Sequence, residues 1–231
     1  MRYRPLKTRR DPIRGRLIQV YLELARHFSP QKWWPAESAI EVAVGAILTQ
    51  NTAWTNVERA LDRLKAHGLL SAKRLHQLSE SRLATLIRPS GTFRVKARRL
   101  KAFLRFLQER YAGELSRTAR VPLEQLRGEL LSVHGIGPET ADSMLLYAIG
   151  RPVFVVDQYT RRVLSRHRLV RRDIGYDDLQ QFFASRLPSD PALFNDYHAL
   201  LVKVGKEYCR RVPRCDRCPL RFDLHGRLPR L

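Results

Sequence analysis

Apolar residues recur every three or four positions along almost the whole chain of 231 residues. Two examples are the series Leu17, Tyr21, Leu24 and Phe28 and the series Leu100, Phe103 and Leu107. This spacing places apolar side chains on one face of a helix, and the strict alternation that is typical of strands is absent. One strand-like stretch, residues 152–156, is too short and isolated to found a sheet. The pattern predicts an all-α protein in which residues 152–156 form a buried extended connection.

No apolar run approaches the roughly 18 residues that a transmembrane helix needs. The N-terminus is basic, but neither an apolar segment nor a small-residue cleavage site of a secretory signal follows it. We therefore expect a cytoplasmic, intracellular protein that does not contact a membrane.

The charge balance changes this picture, because 43 Lys and Arg stand against 22 Asp and Glu, a formal net charge of +21. Such a charge attracts polyanions, and guanidinium groups pair with phosphate through two hydrogen bonds. Nucleic acid is the expected partner. A basic surface that only meets solvent or a ribosome has the same composition, so charge alone does not decide between these possibilities.

A tight turn between two apolar helices is predicted at residues 132–140. Gly135 and Gly137 allow positive φ or a close backbone approach, and Pro138 suits a first helical turn. The N–H groups of Gly135, Ile136 and Gly137 then lie where the next helix begins, and there they can bind a phosphate oxygen. The alternative is a helical hairpin with a purely structural purpose.

Three segments together resemble one known family. Residues 130–164, LLSVHGIGPETADSMLLYAIGRPVFVVDQYTRRVL, combine a helix-hairpin-helix with an Asp that follows it, and residues 40–61 read IEVAVGAILTQNTAWTNVERAL. A cysteine-containing segment begins at Cys209. Over roughly residues 33–224 the chain resembles the endonuclease III superfamily of helix-hairpin-helix DNA glycosylases. The resemblance implies a two-lobed helical DNA glycosylase fold with a C-terminal cysteine-containing loop.

The resemblance also implies domain boundaries. Residues 37–149 are expected to form a helical barrel, with the helix-hairpin-helix at about 124–149. Residues 1–36 are expected to pack with the C-terminal lobe, residues 150–231, and the cleft between the lobes to hold the catalytic Asp.

Asp157 is the catalytic carboxylate that the resemblance implies. It would stabilise the oxocarbenium charge that develops as an N-glycosidic bond breaks, or it would position water. As the residue before a helix it can also serve only as an N-cap. Family members with lyase activity carry a Lys where this chain has Glu139, and a carboxylate cannot form the Schiff base that this chemistry needs. The resemblance therefore implies a monofunctional glycosylase.

The implied base pocket is aromatic. Relatives that excise adenine carry a Glu where this chain has Ala46, whereas Trp33, Trp34 and Pro35, together with Trp54, look like the pocket of the 3-methyladenine DNA glycosylase III branch. Flat aromatic surfaces hold a flipped base, and an electron-poor alkylated purine gains from cation–π attraction. The alternative is that the tryptophans are ordinary core residues.

Further residues are candidates for contacts with DNA. Gln50 resembles the family's wedge, which fills the space that the flipped nucleotide leaves; the alternative is a polar residue at a helix end. Arg94, Lys96 and Arg161 are candidate phosphate contacts, and each can equally be a solvated charge.

The cysteines form one cluster near the C-terminus: Cys209, Cys215 and Cys218. The family's iron–sulfur loop is one residue longer in its first interval and has a fourth Cys where this chain has Leu224. Three thiolates with a non-Cys fourth ligand, for which His225 or Asp223 is available, are chemically able to hold a [4Fe-4S] cluster. The same residues could instead bind zinc, or the loop could hold no metal.

The leading hypothesis is a monofunctional DNA glycosylase of base excision repair that excises alkylated purines such as 3-methyladenine by hydrolysis. It is expected to act as a monomer on damaged double-stranded DNA, in association with the nucleoid. A second hypothesis is a bifunctional endonuclease III-type glycosylase and lyase for pyrimidine lesions. A third is a non-catalytic binder of abasic or distorted DNA.

Overall fold

The computed structural model describes residues 11–31 and 33–229. Within these ranges the chain forms α-helices and no strand, which confirms the predicted all-α class. The helices are α1 (Pro12–His27), α2 (Ala39–Leu48), α3 (Trp54–Ala66), α4 (Ala72–Gln77), α5 (Glu80–Leu86), α6 (Phe93–Tyr111), α7 (Leu123–Ser132), α8 (Pro138–Ser143), α9 (Gln158–Arg166), α10 (Tyr176–Ala184) and α11 (Pro191–Glu207). A π-helical segment, Met144–Ala148, continues α8. Residues 1–10 of the predicted N-terminal segment lie outside the described residues.

Short polar side chains start six of these helices, because each accepts a backbone N–H from the first turn. They are Asp11 (α1), Ser38 (α2), Ser71 (α4), Ser79 (α5), Asp157 (α9) and Asp190 (α11). A first helical turn leaves its N–H groups without partners in the helix, so these side chains fix where each helix begins.

The described residues divide into two compact units, of which one is residues 34–153. In this unit residues 41–48 of α2 are all buried, and α2 packs against α3, α6, α8 and the π-helical segment. Burial therefore explains the apolar sequence of α2 from Val42 to Leu48, and the buried Glu41 before it is paired with Lys65 at 2.7 Å. The hairpin of α7 and α8 belongs to the same unit.

The second unit contains residues 11–31 and 33 together with 154–229. Here α1 and α9 both pack against α11. The hydroxyl of Tyr197 donates to the carbonyl of Leu17 at 2.9 Å, which joins α11 to α1 inside the core. A Cβ at Gly205 would lie 2.6 Å from Cδ1 of Tyr159, so the absence of a side chain at Gly205 lets α9 approach α11.

Residues 153–156 are buried and form neither helix nor strand, as the sequence predicts for an extended connection. None of the helices among residues 11–31 and 33–229 is both long and apolar enough to cross a membrane.

Candidate functional site

The helical hairpin turns at Gly135, which has a φ of +83°. A Cβ at this position would lie 2.3 Å from Cγ of Arg99, a residue of α6. Both the backbone conformation and the close approach of Arg99 therefore require glycine here. Behind the turn, Arg127 of α7 holds the buried carboxylate of Asp142 in α8 through two hydrogen bonds of 2.8 and 3.2 Å. This ion pair fixes the two helices of the hairpin relative to one another.

The three predicted phosphate-binding residues of the hairpin differ in their surroundings. Ile136 is buried, and its N–H donates to the carbonyl of Val133 at 3.0 Å. Its side chain therefore packs in the core, and its N–H stabilises the turn. Gly137 is exposed and directly precedes Pro138, the first residue of α8. Phosphate binding at Gly135 and Gly137 stays a prediction.

Gln50, the predicted wedge, lies half-buried beside the hairpin. Its side-chain nitrogen donates to the carbonyl of Gly135 and to the hydroxyl of Thr140, both at 3.0 Å. Its side-chain oxygen accepts a hydrogen bond from Arg99. In this conformation the amide braces the hairpin, and insertion into DNA would require these hydrogen bonds to be exchanged. Sequence reasoning missed Arg99, because nothing distinguishes it from the neighbouring basic residues of α6.

The expectation that Lys96 contacts phosphate is wrong. Lys96 is 1% exposed, and its ammonium group donates to the carbonyls of Leu48 at 2.7 Å and Ser90 at 2.6 Å. Burial, together with the nearby charge of Arg99, lowers the pKa of Lys96 to about 8. A lysine held in this way joins α6 to the C-terminal end of α2 and cannot reach a DNA backbone.

The other two candidate phosphate contacts are placed differently. Arg94 is exposed near the start of α6, where its guanidinium lies 5.9 Å from the ring centroid of Phe93. Arg161 is half-buried in α9. Contacts between these two side chains and phosphate remain predictions.

Trp34 forms the centre of an aromatic cluster in the unit of residues 34–153. The ring of Trp54 lies 5.0 Å away in an edge-to-face arrangement, and the ring of Tyr147 lies 5.4 Å away at 39°. All three rings are half-buried. Trp33 belongs to the other unit, and Pro35 is exposed. The structure therefore brings together Trp34 and Trp54 of the predicted pocket and adds Tyr147 to them.

Sequence reasoning missed Tyr147 because of the π-helical segment Met144–Ala148. One extra residue in a helical turn rotates the side chains that follow, and such segments are frequent at functional sites. The irregular turn is therefore the structural feature that marks Tyr147, and it cannot be read from the spacing of apolar residues.

Asp157 caps α9, and its Oδ1 accepts the N–H of Thr160 at 2.7 Å. Its other oxygen, Oδ2, lies 3.8 Å from Nε2 of His198, a buried residue of α11. Burial lowers the pKa of His198, although the charge of Asp157 acts in the opposite direction. One carboxylate oxygen of Asp157 therefore caps the helix, and the other lies beside the buried imidazole of His198. Sequence reasoning identified Asp157 but not His198.

Glu139 is exposed in the first turn of α8. Its position near a helix start is favourable for a negative charge. Ala46, which the sequence resemblance aligns with the Glu of relatives that excise adenine, is buried in α2.

The cysteine loop, residues 209–224, offers a poor donor set for an iron–sulfur cluster. Leu224 is buried at the position of the family's fourth Cys, and His225 is exposed with a left-handed backbone, φ +50°. Asp223 is engaged by Arg16 and His167, and although burial alone would raise its pKa, hydrogen bonds from His167 and Arg16 lower it. Within residues 11–31 and 33–229, no three His, Cys, Asp or Glu side chains are grouped to hold a metal ion. The side chains present do not fit a four-ligand cluster.

Comparison with known proteins agrees with the resemblance seen in the sequence. Residues 44–189 match the HhH-GPD superfamily of base excision DNA repair proteins. A candidate DNA repair glycosylase of Methanocaldococcus jannaschii is 44% identical over 207 residues, which cover 89% of this chain and 94% of the relative.

Two solved structures share the fold. The H. pylori 3-methyladenine DNA glycosylase bound to 1,N6-ethenoadenine matches with a TM-score of 0.71 at 28% identity, over 85% of this chain and 96% of that one. A trapped covalent intermediate of endonuclease III with DNA matches with a TM-score of 0.78 at 24% identity, over 94% and 95%. The helix-hairpin-helix architecture, the matched family and these relatives lead to one conclusion. This chain belongs to the endonuclease III, or HhH-GPD, superfamily of base excision repair DNA glycosylases.

Proposed function

We propose that this protein is a monofunctional DNA glycosylase that excises alkylated purines of the 3-methyladenine kind from double-stranded DNA by hydrolysis, acting as a monomer. The observation that carries the proposal is the aromatic cluster of Trp34, Trp54 and Tyr147. The half-buried indole of Trp34 and two half-buried rings within 5.4 Å of it supply broad π surfaces. Ala46 supplies no carboxylate at the position where the resemblance places the Glu of adenine-excising relatives.

An alkylated purine suits such a site for a physical reason. Alkylation at a ring nitrogen makes the base electron-poor and often cationic, so stacking on an indole gains from cation–π attraction. Attraction of this kind contributes about 0.5–2 kcal/mol, depending on how far the pair is desolvated. The same modification weakens the glycosidic bond, so the site needs no strong general acid to protonate the leaving base.

The carboxylate of Asp157 is the group that we assign to the sugar. Capping of α9 through Oδ1 fixes the side chain, which leaves Oδ2 to stabilise positive charge that develops on the sugar ring or to orient the attacking water. Because the side chain of Asp157 is only 11% exposed, solvent screens this charge weakly.

Glu139 supports hydrolysis over lyase chemistry. A carboxylate cannot form the imine that β-elimination requires, so the abasic product is expected to be released uncleaved. The H. pylori relative, which was solved with 1,N6-ethenoadenine, is an alkylpurine glycosylase by name and supports the same substrate class.

A panel of duplex oligonucleotides, each with one defined lesion, tests the proposal. We expect base release from alkylated purines, with strand nicking only after alkali, and no covalent adduct after borohydride treatment. Nicking without alkali, or release of oxidised pyrimidines alone, would favour a bifunctional enzyme of the endonuclease III type. Binding without release of any base would favour a non-catalytic binder of distorted DNA.

Asp157→Asn supplies the catalytic test, because Asn caps a helix about as well as Asp and the fold is preserved. We expect base release to fall by a factor of about 100 or more, on the order of the loss for other electrostatic catalytic groups. Asp173→Asn is the matched control, since Asp173 is an exposed carboxylate in the same unit. Equal release by wild type and Asp157→Asn would refute the assignment of Asp157.

A further inference from the structure

Two arginines of α9 tie the start of the cysteine loop to the helix. Arg162 donates from Nε to the carbonyl of Cys209 at 2.6 Å and from Nη2 to the carbonyl of Gly205 at 3.0 Å. The guanidinium of Arg166 is buried and donates to Sγ of Cys209 at 3.4 Å and to the carbonyl of Arg211 at 3.0 Å. Hydrogen bonds from a charged donor are stronger than neutral ones, so the backbone of this segment is firmly held.

The other end of the cysteine loop has an anchor of its own. The buried carboxylate of Asp223 accepts hydrogen bonds from Nε and Nη2 of Arg16, both at 2.9 Å. The same carboxylate lies 2.9 Å from Nδ1 of His167, and Arg16 also donates to the carbonyl of His167 at 3.0 Å. This bidentate arginine–carboxylate contact joins α1 and the end of α9 to the loop. Its geometry fixes the position of the loop relative to these two helices.

The second anchor uses the carboxylate that lies next to the family's fourth ligand position. Asp223, the carboxylate next to the fourth ligand position, has its oxygens directed to Arg16 and His167, and the position itself is the buried Leu224. Three thiols cannot complete the four-cysteine site of the family. His225, the other candidate ligand, is exposed, and no three metal-binding side chains are grouped among the described residues.

We propose that the cysteine loop of this protein is a metal-free structure. In place of an iron–sulfur cluster, it is held by the hydrogen bonds of Arg162 and Arg166 to backbone carbonyls and by the ion pair of Arg16 with Asp223. The anchors fix both ends of the loop mainly through backbone carbonyls and the Asp223 carboxylate, so its shape does not depend on a metal bound to the sulfur atoms. The proposal concerns the construction of the loop and holds whichever base the enzyme excises.

Metal content tests the proposal directly. The full chain is purified without oxygen and then incubated with ferrous iron and sulfide under reducing conditions. We expect much less than one iron, acid-labile sulfide or zinc per chain, and no absorption near 410 nm above that of a variant in which Cys209, Cys215 and Cys218 are all replaced by Ala. About four irons and four sulfides per chain, or one tightly bound zinc, with loss of the metal in the triple variant, would overturn the proposal.

Thermal unfolding separates the two ways of holding the loop. We expect the triple Cys→Ala variant to keep its Tm within about 3 °C, whereas Asp223→Asn lowers it by more than this. Asp173→Asn, which removes an exposed ion pair with Arg171, is the matched control and should leave Tm unchanged. If Asp223→Asn does not fold, Arg16→Lys takes its place, because it keeps the charge but removes the bidentate contact. Its Tm is then compared with that of the triple Cys→Ala variant. A large fall in Tm for the triple variant, with none for Asp223→Asn or Arg16→Lys, would overturn the proposal.

Discussion

Gly45 provides the space that the indole of Trp34 occupies. A Cβ at Gly45 would lie 3.2 Å from Cζ2 of Trp34, which is closer than an ordinary van der Waals contact. Because Trp34 is the central ring of the aromatic cluster, one missing methyl group in α2 sets the position of the whole cluster.

Gly45→Ala is therefore expected to move Trp34 by a few tenths of an ångström and to impair base release more than stability. Ala favours a helix over Gly by about 1 kcal/mol, which offsets the crowding. We expect kcat/KM on alkylated duplex to fall on the order of tenfold, since small displacements of positioning groups are costly.

Gly128→Ala is the control for this prediction. Gly128 lies in α7 of the same unit, and a Cβ there meets nothing within 4 Å. This variant should gain stability and keep full activity. Equal activity of Gly45→Ala and wild type would mean that the cluster does not hold the base.

Lys96 is expected to make the free energy of unfolding rise with pH in the alkaline range. Burial lowers its pKa from an ordinary 10.5 to about 8, so between these values the unfolded chain binds more protons than the folded one. The free energy of unfolding that Lys96 contributes therefore rises as pH increases from 8 to 10.5, by on the order of 3 kcal/mol. Denaturant titrations of wild type and Lys96→Met across this range should show the difference.

Lys73→Met, at an exposed position of α4, is the matched control. Its unfolding free energy should follow that of wild type across the same pH range. If the unfolding free energies of wild type and Lys96→Met change in parallel from pH 8 to 10.5, burial does not lower the pKa of Lys96.

The loop after α2 offers two amides for contact with DNA, and their surroundings differ. Gln50 holds the hairpin through hydrogen bonds to Gly135 and Thr140, whereas Asn51 is exposed with a φ of +52°. Gln50→Ala should lower stability by about 1–3 kcal/mol, because it leaves buried polar groups without partners. Asn51→Gly keeps the left-handed backbone and should not reduce stability.

Base release from duplex DNA then identifies the wedge. We expect Asn51→Gly to lower release while its Tm stays at the wild-type value, because the exposed amide is the one available to the duplex. The opposite result would be wild-type base release by Asn51→Gly and reduced base release by Gln50→Ala at an unchanged Tm. It would support the assignment of Gln50 as the wedge that was made from the sequence.

The sequence predicted those structural features that depend on residues close together in the chain. Helical spacing of apolar residues predicted the all-α class, and Asp157 could be placed at a helix start because its neighbours define the cap. Lys96 could not be predicted, since its burial depends on carbonyls of Leu48 and Ser90 that only the tertiary fold brings to it. Tyr147 could not be predicted either, because the π-helical segment changes the register of its side chain.

Residue type alone does not show the role of the basic side chains in the second unit. Arg162 and Arg166 look like the phosphate contacts expected of a chain with a net charge of +21, yet both bind carbonyl groups of the cysteine loop. Some of the arginines therefore stabilise the fold. Only the tertiary structure distinguishes them from the basic side chains that are available to bind DNA.

Glu139 is exposed in the first turn of α8, and the sequence resemblance aligns it with the Lys of the family's lyase members. Replacement by Lys restores an amine there without burying a charge. We expect Glu139→Lys to form a borohydride-trapped adduct with DNA that contains an abasic site, because a primary amine near the sugar can form a Schiff base. Glu124→Lys, at an exposed position in the first turn of α7, makes the same change in charge and should form none. Equal trapping by both variants, or none by Glu139→Lys, would show that the sugar does not meet α8 at this position. The proposed absence of lyase activity would then need another cause.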